Sequence, residues 1–232
     1  MKSSIYTDGS YALKHPEMHV PDSKWKGMHI VNILKKNKIY PKKICEIGCG
    51  AGEVIKTVHE NCETITESIG YEISPEAFDM CKTRAGNGLK FYLKDFFEEK
   101  EPVFDLLLCI DVFEHVDDYL GFIKLMKNRS RYKIFHIPLD LSAHTILRET
   151  PIIRSREKNG HLHYYNKYTA IESLRYSGYE ILDYHYTLTS IERGSGTFLN
   201  NLGKIPRKIL YKINPDLCVK LLGGFSLIVL AK

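Results

Sequence analysis

The residues of this chain that can do chemistry fall into four groups, each at the end of an apolar segment. The first is Glu46-Ile47-Gly48-Cys49-Gly50-Ala51-Gly52-Glu53. Alternate glycines let a backbone turn tightly and come close to a ligand, and the N–H groups of a following helix then surround that ligand. The second is Tyr71-Glu72-Ile73, with Glu72 lying 72 − 52 = 20 residues past the last glycine. An ionised carboxylate there accepts two hydrogen bonds from the vicinal diol of a ribose. The third is Asp95-Phe96, an acid for an amino group beside a ring that packs on a base. The fourth is Ile110-Asp111-Val112-Phe113-Glu114-His115-Val116. His115 has the pKa range of a general base at neutral pH. A dinucleotide fingerprint, G-x-G-x-x-G, needs glycine at position 53, where this chain has Glu53. A carboxylate in the first helical turn is a poor neighbour for a pyrophosphate.

The elements that must position these groups are legible from periodicity. Val54, Ile55 and Val58 share one face of a helix that follows the glycines. Ser74 before Pro75 is a strong helix start, and residues 104–110 form the near-continuous apolar run that a central parallel strand requires. With further strands at 68–73, 89–93, 132–137, 179–186 and 225–231, the order strand, helix, strand, helix, strand, strand, helix, strand predicts a doubly wound α/β sheet. Residues 1–42 form an expected N-terminal cap, aromatic and histidine-rich (Tyr6, Tyr11, His15, His19, Trp25, His29). Its helix is expected to start with Asp22 or Ser23 as N-cap and to run to about Lys38. Residues 43–232 form the main domain, with a basic helical insert at about 191–224. The polar stretch 154–160 reads as a mobile loop, followed by His161-Leu162-His163, one of which is expected to reach the acceptor.

Taken in order, E-x-G-x-G-x-G, the acid at position 72, Asp95-Phe96 and D-x-x-E-H-V resemble the motifs of the class I S-adenosylmethionine (SAM) methyltransferases, and in particular the ubiquinone-pathway-like small-molecule group. The resemblance covers roughly residues 43–187 and the final strand. It implies a Rossmann-like, doubly wound, seven-stranded, mostly parallel sheet with an antiparallel last strand. It also implies that Glu46, Gly48, Cys49, Gly50, Gly52, Tyr71, Glu72, Ile73, Asp95, Phe96, Ile110 and Asp111 bind SAM, a cation without phosphate. The expected activity is methyl transfer to a small-molecule or sugar acceptor, at oxygen, with His115, Asp111 and His163 as catalytic residues. In small-RNA 2′-O-methyltransferases an E-x-x-E-H motif and a later histidine bind a divalent metal. Asp111, Glu114 and His115 keep that spacing, and His136, His161 or His163 would complete such a set. Because D-x-x-E-H also occurs without metal, no metal is assigned. The rival readings are that RNA enzyme, a nicotinamide-dependent oxidoreductase, and a SAM-binding protein without catalysis.

Composition narrows the setting. The chain has 232 residues, 44% hydrophobic and 26% charged, enough for one α/β domain with a sizeable core. No run of about 18 apolar residues is present and the N-terminus lacks an apolar h-region. The six cysteines form no C-x-x-C pair, so reduced thiols in a cytoplasmic protein are expected. Residues 200–232 carry six basic residues and one acid, 6 − 1 = +5, the whole net charge of the chain. A general nucleic-acid surface is therefore not indicated. Lys204, Lys208 and Lys212 recur beside an apolar stripe of Leu202, Ile205, Ile209, Leu210 and Ile213, which reads either as a helix covering the sheet edge or as contact with a peripheral membrane or an acidic substrate.

Overall fold

The apolar run Phe104–Ile110 is the middle strand of a seven-stranded sheet. This computed structural model describes residues 8–9, 13–14, 17, 20–99, 103–148, 150–188 and 204–232. Tyr6, Tyr11, His15, His19, Leu202 and the side chain of Lys204 lie outside the described residues. In chain order the elements are α1 (Val20–Lys36), β1 (Lys43–Ile47), α2 (Glu53–Asn61), β2 (Glu67–Glu72), α3 (Pro75–Cys81), β3 (Leu89–Leu93), β4 (Phe104–Ile110), α4 (Tyr119–Met126) and β5 (Ser130–Pro138). They continue with α5 (Ala143–Arg148), α6 (Thr150–Arg154), α7 (Lys167–Tyr176), β6 (Ile181–Thr187), α8 (Lys204–Ile213), α9 (Pro215–Leu222) and β7 (Ser226–Ala231).

The sheet order is β3-β2-β1-β4-β5-β7-β6, with β7 antiparallel to both its neighbours. This is the doubly wound sheet with an antiparallel last strand that the motifs imply. Alternation along β4 explains why its run is apolar without a break. Leu106, Leu108 and Ile110 face α1 and α2, while Leu107 and Cys109 face the layer of α4, α7 and α9. Each fully buried Leu or Ile there contributes roughly 1.5–3 kcal/mol, so neither face tolerates a polar side chain. All six cysteines are unpaired thiols.

Several starts follow local chemistry. Ser74 accepts from the Ala77 N–H with Pro75 behind it, and Asn166 with Thr169 forms a capping box at α7. Helix α1 differs from expectation. It begins at Val20, so Pro21 falls in the first turn, where its missing N–H costs nothing. Asp22 and Ser23 are then inside the helix, buried, and turned toward the cleft described below. Helix α1 packs as part of the main core. Ile30, Val31, Ile33 and Leu34 belong to the same core cluster as α2 and the strands. Residues 154–160 also depart from the loop reading, because α6 runs into a π-helical turn, Ser155–Asn159. Arg, Glu and Lys are good helix formers, so a charged composition does not by itself make a loop.

The contact of α1 with β6 titrates. His29 Nδ1 lies 3.2 Å from His185 Nε2. Burial, and then the neighbouring His29, push the His185 imidazole down to about 4. An unfolded chain takes up that proton near pH 6.5, so stability falls as pH drops from about 6.5 to about 4 and then levels off. His185→Gln is expected to flatten this part of the melting-temperature curve by about 1–2 kcal/mol, a value discounted for a partly exposed site. A variant whose pH profile parallels the parent's would rule the pair out as the cause.

Candidate active site

The sheet changes winding direction between β1 and β4, and a ligand crevice is expected outside the carboxyl ends of the strands there. A cleft of about 390 Å³ lies at that place. The glycine turn, the ends of β2 and β4, the 94–97 segment and α1 line it, together with His136, Asn159 and His161.

The turn after β1 is held from below. Cys49 N–H donates to the Tyr71 carbonyl at 3.1 Å, and the Cys81 thiol donates to the Gly50 carbonyl at 3.1 Å. Glu46 is 1% exposed and accepts from the Ile55 N–H at 3.1 Å, which ties β1 to the start of α2. Burial pushes its carboxyl well above the usual range, so a cation in the cleft would be a favourable neighbour. Glu72 accepts from the Gly50 N–H at 2.7 Å with one oxygen and from the Ile73 and Ser74 N–H groups at 2.8 Å with the other. Burial raises its carboxyl, and these backbone donors oppose the shift.

Most of the expected binding residues come together. Glu46, Gly48, Cys49, Gly50, Tyr71, Glu72, Ile73, Asp95, Phe96, Ile110 and Asp111 all line the cleft. Gly52 does not; it lies behind the turn, against Phe91 and Cys81. Phe96 is 1% exposed, so its ring forms floor and not a stacking plate. It packs 5.2 Å from Tyr71 on one side and under the Arg129 guanidinium at 4.6 Å on another. Asp95 uses Oδ1 to cap the Phe97 N–H.

The expected catalytic residues separate. Asp111 sits at φ 52°, a left-handed conformation uncommon for a non-glycine residue. It pairs with Lys26 of α1 at 2.6 Å and with His136 of β5 at 2.6 Å, and His136 reaches Thr187 at 2.9 Å. Burial works to raise the Asp111 carboxyl, but His136 and Lys26 outweigh it and hold it well below the usual range. So acidic a group is a poor proton acceptor, and its role here is to anchor Lys26 and His136. His115 lines the cleft, and its Nδ1 lies 3.2 Å from the Gly160 carbonyl. A carbonyl only accepts, so Nδ1 carries the hydrogen and the basic lone pair lies on Nε2. His163 is not at the cleft: its Nε2 donates to the Val116 carbonyl at 2.9 Å, and its ring packs on Tyr119. His161 takes that place, 4.9 Å ring to ring from His115. Its Nδ1 lies 2.6 Å from Asp140 Oδ2 and 2.9 Å from Ser155 Oγ.

Beside these rings the Glu114 carboxyl is fully buried, with no hydrogen-bond partner on either oxygen among the described residues. Burial, and then the charge of Asp111, push it well above the usual range. Lys26, Asp140 and Asn159 were not anticipated. For Lys26 a signal existed: Asp22 and Lys26 stand at helical spacing with Ile30, two charges on an apolar stripe, as a buried functional pair would be.

The arrangement fits a cationic, diol-bearing nucleoside. A Cβ built on Gly50 meets no atom within 4 Å, so the turn leaves open space on the ligand side. Two buried carboxylates, Glu46 and Glu72, border it.

A family model described as a methyltransferase domain matches residues 27–184. A ubiquinone biosynthesis O-methyltransferase of Actinobacillus pleuropneumoniae serotype 5b (strain L20) is 27% identical over 124 residues, 46% of this chain and 52% of that protein. The chain thus matches about half the length of this curated relative. Among solved structures, magnesium protoporphyrin IX methyltransferase from Synechocystis PCC 6803 with bound SAH superposes with a TM-score of 0.59 at 14% identity, covering 90% of this chain and 82% of that one. The plantazolicin methyltransferase in complex with SAH gives 0.54 at 16% identity, covering 97% and 88%. These two likenesses speak for the fold.

Proposed function

This chain belongs to the methyltransferase domain family and takes S-adenosylmethionine as its cofactor, and from that premise we propose that it methylates a hydroxyl of a small-molecule or sugar acceptor, with His115 as general base. Bound SAM supplies a methyl group on a sulfonium, already activated for in-line displacement. In this reading the Glu72 carboxylate and the Gly50 turn take the ribose, Asp95 takes the adenine amino group, and Glu46 faces the cationic end. His115 Nε2 then removes the acceptor proton, a contribution of about 10²–10⁴-fold. The observation that carries the reading is the place of His115 in the wall of the cleft just past β4, with Nδ1 3.2 Å from the Gly160 carbonyl and Nε2 3.9 Å from Glu114 Oε1. Asp140 orients His161 as a second imidazole facing the acceptor side.

A second reading rests on one observation. Glu114, His115 and His161 bring a carboxylate and two imidazoles within 4.8 Å of one another, and the Glu114 oxygens have no other partner among the described residues. Carboxylate and imidazole are suitable donors for a divalent cation, which would polarise the same acceptor hydroxyl. One experiment separates the readings. Methyl transfer from labelled SAM is measured for catechols, phenols, free sugars and a short RNA, with and without chelator, after metal analysis of the purified protein. Transfer to a small hydroxyl compound, undiminished by chelator, is the expected result. Strict dependence on added metal would replace the base reading with the second one. Transfer to RNA alone would remove the small-molecule acceptor.

A further inference from the structure

Outside the cleft, the surface that the reaction does not use is the outer face of α8 and α9. An edge-covering helix pair would turn its aliphatic side chains inward. Here Leu210, Tyr211 and Leu222 do pack on the core, and Cys218 and Val219 are buried. A second row points out. Ile205, Ile209 and Ile213 on α8 are 50%, 55% and 76% exposed, and Leu217 and Leu221 on α9 are also exposed. The spacing of four keeps the three isoleucines on one side of α8. Lys208 and Lys212 each precede an isoleucine of that row, so an exposed basic row runs beside the aliphatic one.

The face is firmly mounted. Arg207 donates to the Leu222 carbonyl at 3.1 Å, and the Cys218 thiol donates to the Arg207 carbonyl at 3.5 Å. Asp216, the one acid between residues 204 and 222, is held by Lys167 at 2.6 Å and by the Tyr186 hydroxyl. That segment carries Lys204, Arg207, Lys208, Lys212 and Lys220 against it, 5 − 1 = +4 of the chain's net +5. Helix α5, which packs against α9, exposes Ile146 and Leu147 as well.

We propose that this face docks on an anionic lipid bilayer, lying in the interface with its aliphatic row in the acyl boundary and its lysines on the headgroups. One feature favours lipid over a folded partner. A straight row of aliphatics flanked by lysines needs no shaped pocket, because lysine stems lie along apolar surface while their ammonium groups stay with the anionic headgroups. Among the described residues no helix is long and apolar enough to cross a membrane, so the contact is peripheral. The assignment is independent of the reaction in the cleft.

The test is flotation of the full chain with vesicles of phosphatidylcholine alone or doped with phosphatidylglycerol. Binding to the doped vesicles and not to the neutral ones, weakened by salt, is expected. Lys208→Glu with Lys212→Glu should reduce the bound fraction at least about tenfold, and Ile209→Ser with Ile213→Ser should do the same. All four side chains are exposed, and melting temperatures equal to the parent's confirm that the variants fold. Failure to bind doped vesicles overturns the proposal, as does equal binding to both kinds. So does a concentration-dependent dimer that the isoleucine substitutions dissolve while vesicle binding is absent, which would assign the face to a second copy.

Discussion

Gly50→Ala is expected to cost most of the cofactor affinity and only its backbone strain, about 1–2 kcal/mol, in stability, whereas Gly52→Ala costs more stability and leaves the affinity of the folded fraction intact. Both glycines have positive φ, 56° and 79°, so a side chain at either costs roughly 1–2 kcal/mol in backbone strain. What separates them is the neighbourhood of the added methyl group. At Gly50 it meets nothing within 4 Å, at the edge of the cleft proposed to hold the cofactor. Loss of about 100-fold in affinity for SAH, read by calorimetric titration, follows from an overpacking penalty of up to about 3 kcal/mol. At Gly52 it lands 2.5 Å from the Phe91 ring and 3.3 Å from the Cys81 sulfur, inside the packed layer. Overpacking and strain together amount to about 2–5 kcal/mol, or roughly 5–15 °C in melting temperature. The folded fraction of Gly52→Ala should still bind SAH normally. Equal loss of affinity in both variants would mean that Gly50 does not face the cofactor.

His115→Ala is expected to lower the turnover rate by about 10²–10⁴-fold while leaving the SAH dissociation constant unchanged. The substitution that tells the two readings of the site apart is Glu114→Gln. Burial raises the Glu114 carboxyl well above the usual range and so favours its neutral form, and the neutral, isosteric amide should leave turnover within about threefold if His115 acts alone as base. If a metal bound by Glu114, His115 and His161 activates the acceptor, Glu114→Gln falls with the histidine variants and metal content falls with it. Asp140→Asn, which removes the charge that orients His161, adds a graded case. It should lower turnover less than His115→Ala, as expected of a residue acting through another.

What could be read from the amino-acid sequence was the part in which chemistry follows chain order. The turn from Gly48 to Gly52, the acid 20 residues on and the apolar strand 104–110 are local patterns, and the sheet order follows from them. The part that could not be read is the pairing of side chains across the cleft. Lys26 meets Asp111 from a distance of 85 residues, and Asp140 meets His161 from 21. Neither partner stands in a motif. His161 and His163 show a different limit. They are two residues apart in a segment that is neither helix nor strand, so no periodicity says which one faces inward. Phe96 was legible as an aromatic at a strand end but not as floor, because its exposure depends on Tyr71 and Arg129, brought in from elsewhere in the chain.

The position of β7 has a consequence for how the molecule assembles. This strand comes after all the others in the chain, yet it fills the gap between β5 and β6. Thr187 at the end of β6 supports His136, and His136 supports Asp111. During synthesis, therefore, β1 to β5 can pair as they emerge, but the Asp111 corner is braced only once residues 226–231 have left the ribosome and wedged the sheet shut. Cofactor-dependent protection of a nascent chain should thus appear late and abruptly, with the arrival of its last strand.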